Sequence, residues 1–255
     1  MNWVLIGVIV VIGLNAYLGM KKGMVKIILS LVAMIATILI TMALTPIVSN
    51  VVKDNTNWYT NIKNATYQGI QRNNTVDDAF KELGKTQDIT KITDVNQSGT
   101  SLGNISNQVI DKLMLPDSLK NQIQSNLNIQ KYIDQGITSV EDTVTNALAE
   151  QISSIIFNMI IFIGLFIVVY IIMQVIIRMV DIVSRLPVLH QINKTGGLVL
   201  GLVKGLIVVW VFFMAITIFC DTEFAHTVFA YVNDNSFLAF LYNNNLILKL
   251  IFAII

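Results

Sequence analysis

Four strongly apolar segments stand in two close pairs, with about a hundred mostly polar residues between the pairs. The first pair is Trp3–Leu18 and Met24–Leu44, joined across Gly19 and Gly23. The second is Ile155–Ile177 and Leu198–Phe219. A helix crosses a bilayer with about 20 apolar residues, because each adds about 1.5 Å against roughly 30 Å of hydrocarbon. Three segments reach that length, and the first does so by borrowing flanking residues. The pattern predicts an integral membrane protein with four transmembrane helices arranged as two hairpins.

Charge sharpens the picture. Twelve of the 16 acids and nine of the 17 bases lie between Asn50 and Gln151, so the middle segment is slightly acidic and the membrane pieces are basic. Short cytoplasmic loops carry excess Lys and Arg, whereas long loops translocate largely regardless of charge. Both short linkers are basic: Lys21, Lys22 and Lys26 in one, Arg178, Arg185 and Lys194 in the other. Both hairpin turns are therefore expected in the cytoplasm, with the N-terminus, the middle segment and the C-terminus outside. Met1–Leu18 has no charge and its lysines follow, the reverse of a secretory signal peptide. The single cysteine, Cys220, forms no internal disulfide. It should mark the outer end of the fourth span for an impermeant thiol reagent.

The expected fold is an all-α membrane protein. Its parts are a transmembrane hairpin over 1–46, a mainly helical extracytoplasmic insertion over 47–152, a second hairpin over 153–220, and an extracytoplasmic or interfacial tail over 221–255. Pro46 is expected to stop span 2, since proline breaks the helical hydrogen-bond ladder. Val76–Gly84 reads as a short amphipathic helix and Thr86–Gly103 as loop. Pro116, Asp117 and Ser118 offer a break and a cap, with Leu119, Ile123 and Leu127 on one helical face. Ile133, Ile137, Val140, Val144, Leu148 and Ile152 form a stripe leading into span 3 as one long helix. Asp221–Ser236 is polar. Phe237–Leu241 and Leu246–Ile255 are apolar but interrupted by Asn243, Asn244 and Asn245; a fifth span would bury three amides, so an interfacial or re-entrant hairpin is expected.

Gly197, Gly201 and Gly205 make consecutive small-xxx-small steps, and Gly19 and Gly23 a similar one, which suits close helix packing. Packing among the four spans accounts for them; homodimerisation through the span 4 face is the alternative. Lys204, with Lys21, Lys22, Lys26, Arg178, Arg185 and Lys194, is read as a membrane-interface anchor that snorkels to the cytoplasmic face. Asn15 and Gln174 are candidates for interhelical hydrogen bonds. No Asp, Glu or His lies mid-span, which argues against a proton-driven transporter.

Enzymatic chemistry has little support. Ser101, between Gly99 and Gly103, matches the nucleophile-elbow spacing, but the surroundings are loop-like and His226 and His190 are remote. Two histidines and one cysteine provide no metal-ligand spacing, and no phosphate-binding glycine motif is present. No catalytic residue, cofactor or metal is expected. Near-neutral net charge gives no reason to expect nucleic acid.

The turn at Gly19–Gly23 with the following Val25–Leu31, Leu186 and Pro187 in the second turn, and Gly197, Gly201 and Gly205 together resemble the colicin V production protein family of bacterial inner-membrane proteins. The resemblance implies a cell-membrane protein tied to toxin production or export, with a broader envelope role, and no established catalytic residues. The expected function is a membrane scaffold or accessory protein whose residues 55–150 engage envelope or secretion partners. A homo-oligomeric channel or transporter subunit is the alternative.

Overall fold

The computed structural model describes residues 2–72, 106–107, 109–111, 115–128, 131, 140–180, 190–220 and 222–253. Those residues are mainly helical, with no strand among them. In chain order the helices are α1 (Trp3–Lys22), α2 (Met24–Asn55), α3 (Trp58–Arg72), α4 (Asp117–Asn126), α5 (Val140–Val180), α6 (His190–Ile218), α7 (Glu223–Asn233), α8 (Ser236–Asn243) and α9 (Leu246–Phe252). Four of them are long and apolar enough to cross a membrane: α1, α2, and the stretches Asp142–Ile177 and Asn193–Ile218.

The chain divides into two compact units. The first is Met1–Val51, Asn158–Phe219 and Tyr231–Ile255; the second is Val52–Phe157 and Cys220–Ala230.

In the first unit, α1 packs antiparallel on α6. Gly19 meets Gly197, Asn15 and Ala16 meet Gly201, and Ile12 meets Gly205. Val4, Val8, Val209 and Phe213 are buried along the two helices. Met24 lies at Gly196 and Ser30 at Lys204, so α2 runs alongside the start of α6 in the same sense. The outward faces are greasy: Ile9, Leu14, Val32, Leu39, Ile171 and Val199 are each about half exposed. A contiguous apolar surface of this kind suits lipid, which completes the solvation of a membrane helix.

Proline does not end the second helix. Pro46 lies inside α2, which continues to Asn55. Its missing N–H leaves the Met42 carbonyl without the usual helical donor. Transmembrane helices tolerate this where hydroxyls and neighbouring helices supply bonds. The Thr45 hydroxyl, one residue before the proline, donates to the Thr41 carbonyl at 2.7 Å; this reinforces the adjacent turn and does not replace the bond lost at the Met42 carbonyl.

The C-terminal segment folds back on α6. The Trp210 indole N–H donates to the Leu241 carbonyl (3.0 Å), and the Asn245 amide donates to the Trp210 carbonyl (2.9 Å). Trp210 lies eight residues before Ile218, about 12 Å inside that end of α6. The α8–α9 turn thus lies beside α6 part-way along that helix. Asn245 is 1% exposed, yet its Oδ1 accepts from the N–H groups of Ile247 and Leu248 and caps α9. Asn244 donates to the Phe240 carbonyl. Local caps and one α6 carbonyl therefore satisfy amides that would have been stranded in a fifth span.

The second unit has its own apolar core, including Ile70, Val109, Ile110, Leu119, Ile123, Val144 and Leu148. Leu119 and Ile123 bury one face of α4, whose N-terminus is capped by Pro116 without a side-chain bond, contrary to the cap expected of Asp117 or Ser118. α5 is one continuous helix from the polar stretch into the apolar one. The expected elements at Val76–Gly84 and Thr86–Gly103, and the stripe members Ile133 and Ile137, lie outside the described residues. The segment starting at Asp221, read as polar, contains α7, which buries Ala225, Val228, Phe229 and Val232 at helical spacing. Cys220 is buried, so an impermeant thiol reagent would report its burial rather than its side of the membrane.

Candidate functional site

Two features of the first unit stand out chemically: a backbone-tight seam ending in a lysine-rich turn, and a column of buried hydroxyls.

The seam depends on glycine. A β-carbon at Gly197 would collide with the Gly19 carbonyl oxygen, and one at Gly19 with the Gly197 carbonyl oxygen. One at Gly201 would collide with the Asn15 carbonyl oxygen, and one at Gly205 would come within 2.9 Å of the Ile12 Cα. The obstacles are backbone atoms, which cannot swing aside. The small face of α6 is therefore covered by α1 within the same chain. Asn15 does not bridge helices by its amide; its Nδ2 donates to the Val11 carbonyl one turn back. The Gln174 amide nitrogen has no hydrogen-bond partner among the described residues.

At the foot of the seam, Gly23 is the single residue between α1 and α2. Its φ of 82° and ψ of 159° belong to a region essentially reserved for glycine. Its N–H donates to the Gly19 carbonyl (3.0 Å). The next N–H, of Met24, donates to Asn193 Oδ1 at 2.6 Å. Asn193 thus pins the α1–α2 turn to the start of α6. The junction leaves an open groove of about 220 Å³ lined by Met20, Lys21, Lys22, Gly23, Asn193 and Lys194. Lys21, Lys22 and Lys194 are exposed, as is Lys26 nearby in sequence. Lys204 reaches sideways across to α2, its ammonium donating to the Ser30 hydroxyl at 2.7 Å. Arg185, Leu186 and Pro187 lie outside the described residues, as does Ser101; Arg178 falls in the last turn of α5 and His190 begins α6.

The hydroxyl column runs along one face of α2. Thr37, Thr41 and Thr45 are fully buried and Ser49 is 2% exposed. From Thr37 to Ser49 it spans about 18 Å of helix. Thr37 donates to the Ala33 carbonyl (2.7 Å), and Ser49 to Asn158 Oδ1 on α5 (2.7 Å). Thr41 Oγ1 has no hydrogen-bond partner among the described residues. The spacing of four was visible in the sequence, but threonine is common enough in apolar helices that only burial distinguishes the column.

In the second unit, Glu150 pairs with Lys63 (3.3 Å) and with Lys131. The Lys53 ammonium sits 4.5 Å from the Tyr59 ring centroid, and Tyr59 meets Phe157 edge-on. Burial, and secondarily the Glu150 charge, raise the Tyr59 phenol above its ordinary pKa. Helix α3, which carries Lys63 and Tyr59, was not anticipated. Its signal was Ile62, Thr66 and Ile70 at four-residue steps, diluted by asparagines. Among the described residues no group of three or more His, Cys, Asp or Glu could hold a metal ion.

Four apolar helices, a glycine-packed seam and a C-terminal helical turn folded back on α6 describe a multi-pass α-helical membrane protein. The family model described as Colicin V production protein matches residues 137–245, which covers α5, α6 and the C-terminal helices as far as the α8–α9 turn; over that stretch the chain is similar to that family. The match includes Leu186, Pro187 and the three span 4 glycines; the N-terminal turn that shares the resemblance lies outside it. No curated protein and no solved structure matches the chain.

Proposed function

We propose that the protein is a membrane scaffold or accessory factor in toxin production or export, or in envelope maintenance, and that it is not an enzyme. It sits in the bacterial inner membrane with both basic turns in the cytoplasm and both termini outside. The observation that carries this reading is the second unit: a helical body with its own apolar core and polar surface, joined to membrane helices whose small-residue seam is filled internally. Trp58, 58% exposed at the start of α3, offers an aromatic anchor of the sort that dominates protein interfaces.

In-cell crosslinking and mild-detergent capture test it, comparing the full chain with a deletion of residues 55–150 whose spans still insert. Specific envelope or secretion partners captured by the full chain and lost on deletion are expected. Orientation is checked separately in a Cys220→Ser background, using two exposed positions. Thr60→Cys should react with an impermeant maleimide in intact cells, and Lys22→Cys only after permeabilisation; the opposite result inverts the topology.

The buried hydroxyl column favours a second reading, a homo-oligomeric channel or transporter subunit. Capture of self-association alone, unchanged by the deletion, would move the assignment there. Solute flux into liposomes that Thr41→Val abolishes would then establish it.

A further inference from the structure

We propose that the groove between the α1–α2 turn and the start of α6 is a binding site for a phosphate anion, and that its ligand is the headgroup of an acidic phospholipid. Three lysines, Lys21, Lys22 and Lys194, line one groove together with Asn193. None of the three has an ion-pair or hydrogen-bond partner among the described residues. Within the first unit, the described residues include one side-chain carboxylate, Asp234, in the α7–α8 connection. That connection follows Tyr231, whose carbonyl accepts from Asn2 at the far end of α1. The lysines therefore hold a concentrated positive charge that the described protein does not neutralise.

Lysine is a point-charge phosphate binder, suited to a headgroup that enters in several orientations. Geometry separates a built site from diffuse attraction. Gly23 takes a backbone conformation that other residues avoid, and a β-carbon there would sit 2.6 Å from Asn193 Nδ2. The Asn193 carboxamide oxygen is engaged with Met24 N–H, which fixes the amide at the groove wall. Its Nδ2 remains available as a neutral donor. The groove also borders the lipid-facing belt: Leu18, Ile28 and Val199 are exposed on the three helices that meet there. An amphiphile can thus place its phosphate among the lysines and its chains along these residues.

The test uses the full chain in detergent, titrated with phosphatidylglycerol, phosphatidylcholine or inorganic phosphate and read by native mass spectrometry. Phosphatidylglycerol should be retained in preference to phosphatidylcholine. Neutralising each groove lysine (Lys21→Gln, Lys22→Gln, Lys194→Gln) should weaken retention about fivefold. Lys26→Gln, outside the groove, should stay within about twofold, since only general surface attraction is lost. Asn193→Ala changes no charge and should still weaken retention severalfold; thermal unfolding confirms that the variant is folded. Failure of inorganic phosphate to displace the lipid supports the headgroup, whereas displacement supports the site but assigns it to the free anion. Equal effects of Lys26→Gln and the groove variants, or equal retention of both lipids, would overturn the proposal. These outcomes do not depend on whether residues 55–150 bind partners, so this inference and the scaffold reading fail separately.

Discussion

The α1–α6 seam and the α3–α5 region of the second unit are both helix packings, yet they are held by opposite means. The seam brings backbones together through Gly19, Gly197, Gly201 and Gly205 and contains no ion pair among the described residues. The second unit buries leucine, isoleucine and valine side chains and adds surface charges, Lys63 and Lys131 on Glu150. In lipid the hydrocarbon outside a helix is as apolar as the side chains within, so association relies on close contact and interhelical bonds. In water the burial of apolar area suffices, and charged groups remain at the rim. Shape should therefore dominate the first region and surface area the second.

The largest expected effect comes from Gly201→Leu. The new side chain points into the Asn15 carbonyl and the Ala16 Cα, so α1 must move off α6. We expect a loss of about 3 kcal/mol, seen as a large drop in the thermal midpoint in detergent. Gly13→Ala sharpens the contrast, because its β-carbon would meet nothing within 4 Å. That variant should be neutral or more stable by up to about 1 kcal/mol, through helix propensity alone. Equal effects at both positions would break the claim that close approach organises the seam.

Asn245→Ala is next. It removes both the cap of α9 and the bond to the Trp210 carbonyl. A destabilisation of about 1–2 kcal/mol is expected, together with a change in Trp210 fluorescence as the hairpin leaves α6. An unaltered Trp210 signal would show that the α8–α9 turn does not depend on its amide.

The smallest effect belongs to Glu150→Gln. It loses two ion pairs whose partners are partly exposed, and should cost under about 1 kcal/mol. The cost should shrink further as salt rises. A larger, salt-independent loss would mean that Glu150 contributes by packing, and the contrast between the regions would weaken.

Much of this architecture was legible in the chain. The apolar segments, the basic turns and the small-residue steps are local patterns, and hydropathy and helical periodicity are properties of neighbouring residues. They suffice for four helices, for the Gly19–Gly23 turn, and for a close contact somewhere on the Gly197–Gly205 face. What covers that face is a matter of tertiary structure: a small-residue stripe permits approach without saying whether the neighbour is α1 or a second copy. The effect of Pro46 is hidden for a related reason, since whether a helix continues past a proline depends on the packing of the helix on either side of it. Asn245 is polar in sequence but buried in the fold, because Trp210, 35 residues away, presents a carbonyl to it. The groove joins residues about 170 positions apart, near Gly23 and at Asn193. Local sequence specified each helix, whereas the pairing of distant polar groups arose only when the helices were brought together, because a hydrogen bond depends on separation in space and not along the chain.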